Sequence, residues 1–310
     1  MTPGKKPSAG SADHILQLEY KAYQLRRKLL LLTGKIGGAH IGGSFSMMEM
    51  MVALYYHHLN IDPEQPKKED RDIFILSKGH AGVGLCTVLA DRGFYPEKDL
   101  DNFNQTGSRF GVHPDRKAIP GVEASTGSLG HGLGLGFGMA LARRMDQKAG
   151  QKAGAAWARV YVMVSDGELC EGSCWEALMA ARHHKTGNLT AIVDYNKMSQ
   201  DGPISEIMEV GPLKDKLVAF GWKVLEIDGH DMKQCLDALA ALPAADATQP
   251  TAILMNTIKG KGVSWMENTV LWHYGGLDTE AEKKALADLD KNHEALIAKA
   301  RKAGLVKEEN

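Results

Sequence analysis

The sequence has few cysteines and almost no surplus charge of either sign, and both shortages narrow the class of protein. Four cysteines in 310 residues are too few for the disulfide framework of a small secreted domain. The 37 Lys and Arg residues nearly balance the 38 Asp and Glu residues, and the net charge of −1 gives no reason to expect nucleic acid or an anionic membrane as a partner. No apolar run approaches the roughly 20 residues that span a bilayer.

No apolar stretch follows Lys5 and Lys6 either, so these early charges do not indicate a secretory signal. We therefore expect a cytoplasmic protein. With 44% hydrophobic and 24% charged residues, the composition is that of an ordinary globular protein. We expect a flexible tail at residues 1–11, which are rich in Gly, Pro, Ser and Lys, and a single α/β domain at residues 12–310.

Apolar residues at helical spacing predict the first two helices. We expect them at residues 13–32, with Asp13 as the N-cap, and at residues 46–58, with a glycine-rich loop at residues 34–43 between them. Further along the chain we expect a long loop at 109–125, a helix at 130–142, a surface connection at 145–158 and a helical segment at 279–305.

Five short apolar runs predict strands at residues 73–76, 160–164, 190–194, 222–227 and 252–256. Helical or loop-like stretches separate these runs, and the alternation predicts a mainly parallel sheet with helices on both faces. Ligands of such sheets bind beyond the carboxyl ends of the strands. Five distinctive side chains follow the predicted strand ends: His80, Asp166, Asn196, His230 and Lys259. His230 is the weakest candidate, because Asp228-Gly229-His230 is also typical of a plain turn.

An acid and an amide at two neighbouring strand ends indicate a seat for a hard cation. Asp166 and Asn196 carry oxygen ligands of the kind that Mg²⁺ and Ca²⁺ take, usually from few protein groups together with phosphate oxygens. Gly167, next to the acid, lets a diphosphate approach the backbone closely. The pattern therefore predicts a site for a metal-bound diphosphate cofactor.

Glycines at alternate positions from 130 to 138 invite comparison with phosphate-binding loops, but their spacing fits neither the dinucleotide fingerprint nor the P-loop. Gly130, Gly134 and Gly138 share one helix face, which would let another backbone or a cofactor approach. Tight helix packing alone explains the later glycines at least as well. The segment Thr126-Gly127-Ser128-Leu129-Gly130 is the better ligand candidate, because the start of a helix favours anions.

Cys170 and Cys174 are spaced to share a helix face, and only His183 and His184 are near enough in sequence to complete a metal site with them. Two small, semi-buried thiols is the better interpretation.

A series of short motifs, in one order along nearly the whole chain, resembles the transketolase family. Asp166-Gly167 with Asn196 resembles the thiamine diphosphate motif of that family. The accompanying motifs are Gly38-Ala39-His40-Ile41-Gly42-Gly43, Ser77-Lys78-Gly79-His80-Ala81, Gly111-Val112-His113-Pro114, Ser125-Thr126-Gly127-Ser128-Leu129-Gly130, Ser165-Asp166-Gly167-Glu168-Leu169-Cys170-Glu171-Gly172, Trp175-Glu176-Ala177, Asp228-Gly229-His230, Lys259-Gly260-Lys261-Gly262 and Trp272-His273. Each motif is weak alone, but together they are very specific.

The resemblance implies a thiamine diphosphate-binding fold and a role for each matching residue. It implies that Mg²⁺ or Ca²⁺ is held by Asp166, the Asn196 side chain and the Met198 carbonyl. The expected cofactor contacts are His80, Gly127, Ser128, Leu129, Gly167, Glu168, Asn196, Lys259 and His273. The expected catalytic histidines, which face the sugar or the cofactor, are His40, His80, His113 and His273. Glu168 and Glu171 resemble family positions near the subunit contact.

Transketolases normally continue into a domain that binds the aminopyrimidine ring and carries the glutamate that activates the cofactor. Nothing after His273 resembles that domain, and residues 279–310 are too few to form it. The resemblance therefore implies the diphosphate-binding half of a split transketolase, which transfers a two-carbon ketol unit between sugar phosphates. A separate C-terminal subunit is expected to supply the glutamate, in an α2β2 assembly that serves the pentose phosphate pathway or a specialised sugar pathway.

Two alternatives stay open. The alpha subunit of a 2-oxo acid dehydrogenase shares the cofactor and a split gene, although His40, His80 and Trp272-His273 favour sugar chemistry. The other is a catalytically silent binding or regulatory subunit, although such a domain has no need to keep Asp166 and Asn196.

Overall fold

The first helix begins slightly earlier than the sequence pattern predicts. The structure, a computed structural model, describes residues 11–148 and 158–306. Helix α1 (Ala12–Ile36) has Ser11 as its N-cap, whose side chain accepts a hydrogen bond from the backbone nitrogen of His14 at 3.2 Å. The prediction that Asp13 caps the helix is therefore wrong. Asp13 lies in the first turn, where its charge favours the positive end of the helix dipole.

The predicted glycine-rich loop at residues 34–43 is mostly helical. Only residues 37–40 connect α1 to α2 (Ile41–Ser46), and α2 contains Gly42 and Gly43. A Cβ atom on Gly42 would lie 2.6 Å from the carbonyl oxygen of Trp272, so glycine is needed there for close packing. The predicted helix at 46–58 is helical but divided into α3 (Met48–Ala53) and one π-helical turn (Leu54–His58).

The remaining helices lie between and after the strands, and those predicted at 130–142 and 279–305 are present with altered ends, the second divided into two. They are α4 (Gly82–Asp91), α5 (His131–Lys148), α6 (Gly172–His183), α7 (Ile204–Ile207), α8 (Leu213–Ala219), α9 (Met232–Ala240), α10 (Thr279–Asn292) and α11 (Glu294–Lys302). The surface connection predicted at 145–158 is wrong for residues 145–148, which continue α5, and residues 149–157 lie outside the described part. The predicted loop at 109–125 contains only turns and bends, as expected.

The five predicted strands are all present, each within one residue of its predicted ends. They are β1 (Ile73–Leu76), β2 (Val160–Ser165), β3 (Leu189–Tyr195), β4 (Lys223–Asp228) and β5 (Thr251–Asn256). They form one sheet in the order β1-β2-β3-β5-β4, and every neighbouring pair is parallel. The predicted α/β class with a parallel sheet is therefore confirmed, and all five carboxyl ends lie at one edge.

Each face of the sheet carries its own apolar core, as alternating side chains of a strand require. Tyr161 and Met163 of β2 pack into a core with α1, α3, α4 and α9, whereas Val160, Val162 and Val164 pack into a second core with α5, α6 and α8. Helices therefore cover both faces, as predicted. Across the described residues, no helix combines the length and apolarity needed to cross a membrane.

The glycines of α5 divide between a packed face and an open face. A Cβ atom on Gly136 would collide with the side chain of Val162 in β2, and one on Gly132 would lie 2.5 Å from the Cβ atom of Ser77. No heavy atom of the described residues lies within 4 Å of the corresponding positions on Gly134 and Gly138. Close packing on the sheet thus explains Gly132 and Gly136. The face predicted from Gly130, Gly134 and Gly138 is open only at the last two, because Gly130 precedes α5 and a Cβ atom there would lie 2.5 Å from Oγ of Ser173.

Substitutions in α5 should separate these two faces. Gly136→Ala is expected to lower the free energy of unfolding by about 2 kcal/mol, because a methyl group must force Val162 out of place. Gly138→Ala adds a methyl group at an open position. This variant is expected to raise the free energy of unfolding by up to about 1 kcal/mol through helix propensity. Urea unfolding of both variants checks this, and equal effects at the two positions would contradict the assigned packing.

Candidate active site

The edge formed by the strand ends brings together three of the predicted histidines in direct ring contact. His40 precedes α2, His80 lies in a short turn after β1, and His273 lies in the segment between β5 and α10. Their ring centroids are 5.2 Å apart for His40 and His80, 5.2 Å for His40 and His273, and 5.3 Å for His80 and His273. Residues separated by more than 200 positions in sequence therefore form one cluster.

Burial keeps all three imidazoles neutral. It lowers the pKa of His40 to about 4, with further lowering by His113 and Lys259. Burial also lowers the pKa of His80 to about 2 and that of His273 to about 3, helped by neighbouring cationic groups. Since a neutral imidazole carries one donor and one acceptor nitrogen, each ring can both give and take a hydrogen bond at pH 7.

The fourth predicted histidine, His113, borders the same cluster through the loop that precedes α5. A Cβ atom on Gly127, which has φ +154°, would lie 2.7 Å from Cγ of His113. Glycine is therefore required at 127, both by its backbone conformation and by the histidine that lies against it. The electrostatic influence of His113 on His40 also indicates that the two side chains are close.

Lys259, which follows β5, joins the cluster to the loop after β3. Its ammonium nitrogen donates to the carbonyl oxygen of Ser199 at 2.7 Å and lies 2.8 Å from Nδ1 of His273. Burial lowers the pKa of Lys259 to about 8, so the charged form still predominates at neutral pH. Because the ammonium group only donates, Nδ1 of His273 accepts and the ring proton is on Nε2.

Asp166 occupies the predicted position at the end of β2 and is fully buried. Its Oδ1 accepts from the backbone nitrogen of Gly167 at 2.9 Å, and its Oδ2 accepts from that of Lys197 at 2.6 Å. Lys197 reaches this position with φ +64°, in the left-handed region. Burial and the nearby Asp194 nevertheless raise the pKa of Asp166 to about 7, so the two backbone donors do not offset these effects.

Asn196 is oriented by contacts on both sides of its amide. Its Nδ2 donates to Oδ2 of Asp194 at 3.1 Å, and its Oδ1 accepts from the backbone nitrogen of Met198 at 3.1 Å. The amide oxygen keeps a second lone pair on the same edge of the sheet as Asp166. Asn196 and Met198 lie in the loop after β3, and the hydrogen bond from the backbone nitrogen of Lys197 brings Asp166 against this loop.

Asp194 is a central residue that the sequence reasoning missed. Its carboxylate accepts from Lys78 at 2.5 Å, from Ser46 at 2.6 Å and from the hydroxyl of Thr257. Burial opposes its ionisation, but Lys78 and these hydrogen bonds outweigh burial and hold its pKa below the usual range. An acidic residue within the apolar run of β3 was the available signal, because a fully buried carboxylate needs partners.

Glu168 holds the start of α5 in place. Its Oε1 accepts from Ser77 at 2.5 Å and from the backbone nitrogen of Gly130 at 2.9 Å. One amide that would have been free to bind an anion is therefore already used. Burial raises the pKa of Glu168, and its Oε2 is buried without a hydrogen-bond partner among the described residues. Ser128 is exposed and Leu129 half-buried in the same loop.

His230 lies at the same edge of the sheet, but both of its ring nitrogens contact protein groups. Its Nδ1 lies 3.1 Å from Oε2 of Glu49, and its Nε2 accepts from the backbone nitrogen of Ile258 at 2.8 Å. Glu49 also receives two hydrogen bonds from the buried guanidinium of Arg26, at 2.5 and 2.7 Å. His230 is thus a structural residue, and its contact with Ile258 holds the backbone next to Lys259.

The cysteine alternative finds no support. Cys174 is buried and donates to the carbonyl oxygen of Glu168, whereas Cys170 is exposed. All four cysteines are free. Within the described ranges, no group of three or more His, Cys, Asp or Glu side chains could hold a metal ion.

The donors at this edge fit a cation and a phosphate group bound together. The candidate ligands are one carboxylate, one amide and the Met198 carbonyl, which accepts a hydrogen bond from Lys259 at 3.4 Å. A divalent cation would therefore need further oxygen ligands from outside the protein. The side of Gly167 is open, since the nearest atom to a Cβ there is Cδ1 of Ile204 at 4.0 Å. Both Asp166 and Lys259 carry charges that burial disfavours, and a cation and an anion are the partners that would stabilise them.

Comparisons with known proteins agree with this geometry. Residues 26–296 match the family described as transketolase, thiamine diphosphate binding domain. The chain is 40% identical over 280 residues to the 6-deoxy-6-sulfo-D-fructose transketolase subunit SqwG of Clostridium sp. (strain MSTE9), covering 90% of this chain and 98% of that one. It is 36% identical over 279 residues to a subunit of the apulose-4-phosphate transketolase of Phocaeicola vulgatus, covering 90% and 96%.

A solved structure shows the same relationship. The transketolase from Leishmania mexicana superposes with a TM-score of 0.78 at 28% identity, covering 92% of this chain and 47% of that one. The chain thus spans about half the length of that transketolase. The chain belongs to the transketolase family and corresponds to its N-terminal, thiamine diphosphate-binding part.

The contact between Arg26, Glu49 and His230 yields a stability prediction. Glu49→Gln is expected to lower the free energy of unfolding by about 3–5 kcal/mol, because it leaves the guanidinium of Arg26 buried without its counter-charge. Glu64→Gln, the same change at an exposed position, is the control and should have almost no effect. Urea unfolding measures both, and similar small effects would show that the buried pair does not matter.

Proposed function

We propose that the chain is the diphosphate- and metal-binding subunit of a thiamine diphosphate-dependent transketolase. In this proposal it transfers a two-carbon ketol unit from a ketose phosphate to an aldose phosphate, together with a separate C-terminal subunit. The observation that carries the proposal is the convergence of a cation seat, Asp166 and Asn196, with neutral histidines at one sheet edge. A cofactor site needs the cation seat, and proton transfer to sugar oxygens needs the neutral histidines.

The cation, Mg²⁺ or Ca²⁺, is assigned to Asp166, the Asn196 side chain and the Met198 carbonyl. Its charge would favour the ionised form of Asp166, which burial disfavours in the protein alone. The ammonium group of Lys259 is the nearby positive group for a diphosphate. The remaining cofactor contacts are assigned to His80, Gly127, Ser128, Leu129, Gly167, Glu168 and His273. Of these, Glu168 would act through Gly130 and Ser77, to which its carboxylate is bonded.

Thiamine diphosphate, when bound, supplies a carbanion sink for breaking the carbon–carbon bond beside a ketose carbonyl. The histidines provide the proton handling. His273 carries its proton on Nε2, because Nδ1 faces Lys259, and this N–H can donate to a substrate oxygen. His40 and His80 remain neutral, so each can accept a hydrogen bond from a sugar hydroxyl or donate one to a developing oxyanion. His113 completes this set.

A partner chain is part of the proposal. Two relatives that match the chain over nearly their whole length are named as transketolase subunits. We infer a C-terminal partner that supplies the activating glutamate, and an α2β2 assembly. The free cysteines are in keeping with a cytoplasmic location. The sulfosugar and the apulose phosphate named for the relatives both carry an anionic group, and we propose the same general class of donor for this chain.

The partner requirement can be tested with the natural complex. The chain is purified from its own cells with thiamine diphosphate and Mg²⁺, and then separated from whatever accompanies it. Ketol transfer is expected from the complex and not from the separated chain, because the activating glutamate belongs to the partner. Activity should return when the two are mixed.

Three results would contradict this proposal in different ways. Robust ketol transfer by the pure chain would remove the need for a partner. Decarboxylation of pyruvate by the complex, without ketol transfer, would favour the 2-oxo acid dehydrogenase class. Failure to bind thiamine diphosphate and Mg²⁺, both alone and in the complex, would favour a silent binding protein.

A further inference from the structure

Two chain segments at the rim of the histidine cluster are clamped to each other. The backbone nitrogen of Ala39 donates to the carbonyl oxygen of Gly275 at 3.0 Å, and the nitrogen of Gly275 donates back to Ala39 at 3.1 Å. A Cβ atom on Gly276 would lie 2.5 Å from the carbonyl oxygen of Gly37, so the two backbones are in close contact. The clamp fixes residue 274 relative to the residues beside it.

Tyr274 is the side chain that this clamp positions. Its ring packs edge-to-face on His40, with the centroids 4.8 Å apart. A Cβ atom on Gly38 would lie 3.2 Å from both Cε1 and the hydroxyl oxygen of Tyr274. Gly38 also has φ +152°, so its conformation and its missing side chain both serve the position of the phenol ring.

The phenol extends the row of histidines toward solvent. His40 contacts His80 and His273 on its inner side and Tyr274 on its outer side. The three histidines are partly buried, whereas 47% of Tyr274 is exposed. The hydroxyl of Tyr274 makes no hydrogen bond to any described residue, although a phenol both donates and accepts. A rigid ring therefore presents an unused polar group at the rim.

We propose that Tyr274 is a specificity-determining residue that binds the outer part of the sugar chain. Its hydroxyl would hydrogen-bond an oxygen of the donor that lies outward from the reacting carbonyl, in a ketose that carries a terminal anionic group. This inference rests on the proposed function, since it needs a sugar in the histidine cluster. The inner histidines act on the reacting end, and Tyr274 recognises the far end.

Kinetics of the complete complex with Tyr274→Phe test this, because the variant removes the hydroxyl and keeps the ring on His40. The long donor is whichever is fastest with wild type among xylulose 5-phosphate, fructose 6-phosphate and 6-deoxy-6-sulfo-D-fructose. The short donor is erythrulose, a four-carbon ketose without an anionic end. For the long donor kcat/KM should fall about tenfold, mainly through a higher KM, as expected for one lost hydrogen bond. For erythrulose it should stay the same.

Controls separate this role from a structural one. Tyr20→Phe on α1, the same change outside the histidine cluster, should leave both donors unaffected. Retention of thiamine diphosphate and the stoichiometry of the complex should be unchanged in Tyr274→Phe, because the ring contact with His40 persists. A fall in retention or stoichiometry would instead assign Tyr274 to the cofactor site or to the subunit interface, and would overturn the inference.

The failures of the inference and of the proposed function have different signatures. An active wild-type complex in which Tyr274→Phe changes neither donor, or changes both donors equally, would overturn the inference alone. A wild-type complex that transfers no ketol unit from any of the four donors would refute the proposed function, and the role of Tyr274 would fall with it.

Discussion

The buried carboxylate of Asp194 is the interaction on which the rest of the site depends. It receives hydrogen bonds from Ser46, Lys78, Asn196 and Thr257, which belong to or follow four different elements. One residue therefore ties α2 to the ends of three strands. Removing one partner of a buried ion pair such as Lys78 and Asp194 typically costs about 3–5 kcal/mol, because the other charge is left uncompensated. The carboxyl edge of the sheet is rigid for this reason.

The carboxyl edge of the sheet around Asp194 also carries groups whose charged forms are disfavoured by burial. Burial raises the pKa of Asp166 to about 7 and lowers that of Lys259 to about 8. For both residues burial outweighs the protein groups that favour the charged form, and both lie at the same edge as three neutral imidazoles. A metal-bound diphosphate brings a cation for the carboxylate and an anion for the ammonium group. The same burial that disfavours these charges keeps the histidines neutral, so each ring can both donate and accept a hydrogen bond.

The sequence predicts the sheet almost completely, because each strand is a short apolar run bounded by polar residues. The same logic finds Asp166, Asn196, His80 and Lys259, since parallel strands place their carboxyl ends together. It fails where tertiary contacts decide. Gly42 and Gly43 look like a loop, yet they lie in α2, where the carbonyl oxygen of Trp272 approaches Gly42 closely. Asp194 lies in a strand as predicted, but its role depends on Lys78, which lies more than 100 residues away in sequence. The turn at His230 is structural because Glu49 and Ile258 use both of its nitrogens.

In the proposed function, Asp166 holds the cation that fixes the diphosphate. Calorimetric titration of the complex with thiamine diphosphate and Mn²⁺, an oxygen-binding substitute for Mg²⁺, tests it most directly. Asp166→Asn removes the charge from the assigned ligand, and Asp201→Asn makes the same change at an exposed position in the loop after β3. We expect Asp166→Asn to lose at least a tenfold factor of affinity for thiamine diphosphate and Mn²⁺, by analogy with the effect of disturbing a metal site. Asp201→Asn should lose none. Equal affinities for Asp166→Asn and wild type would contradict the assigned role of Asp166.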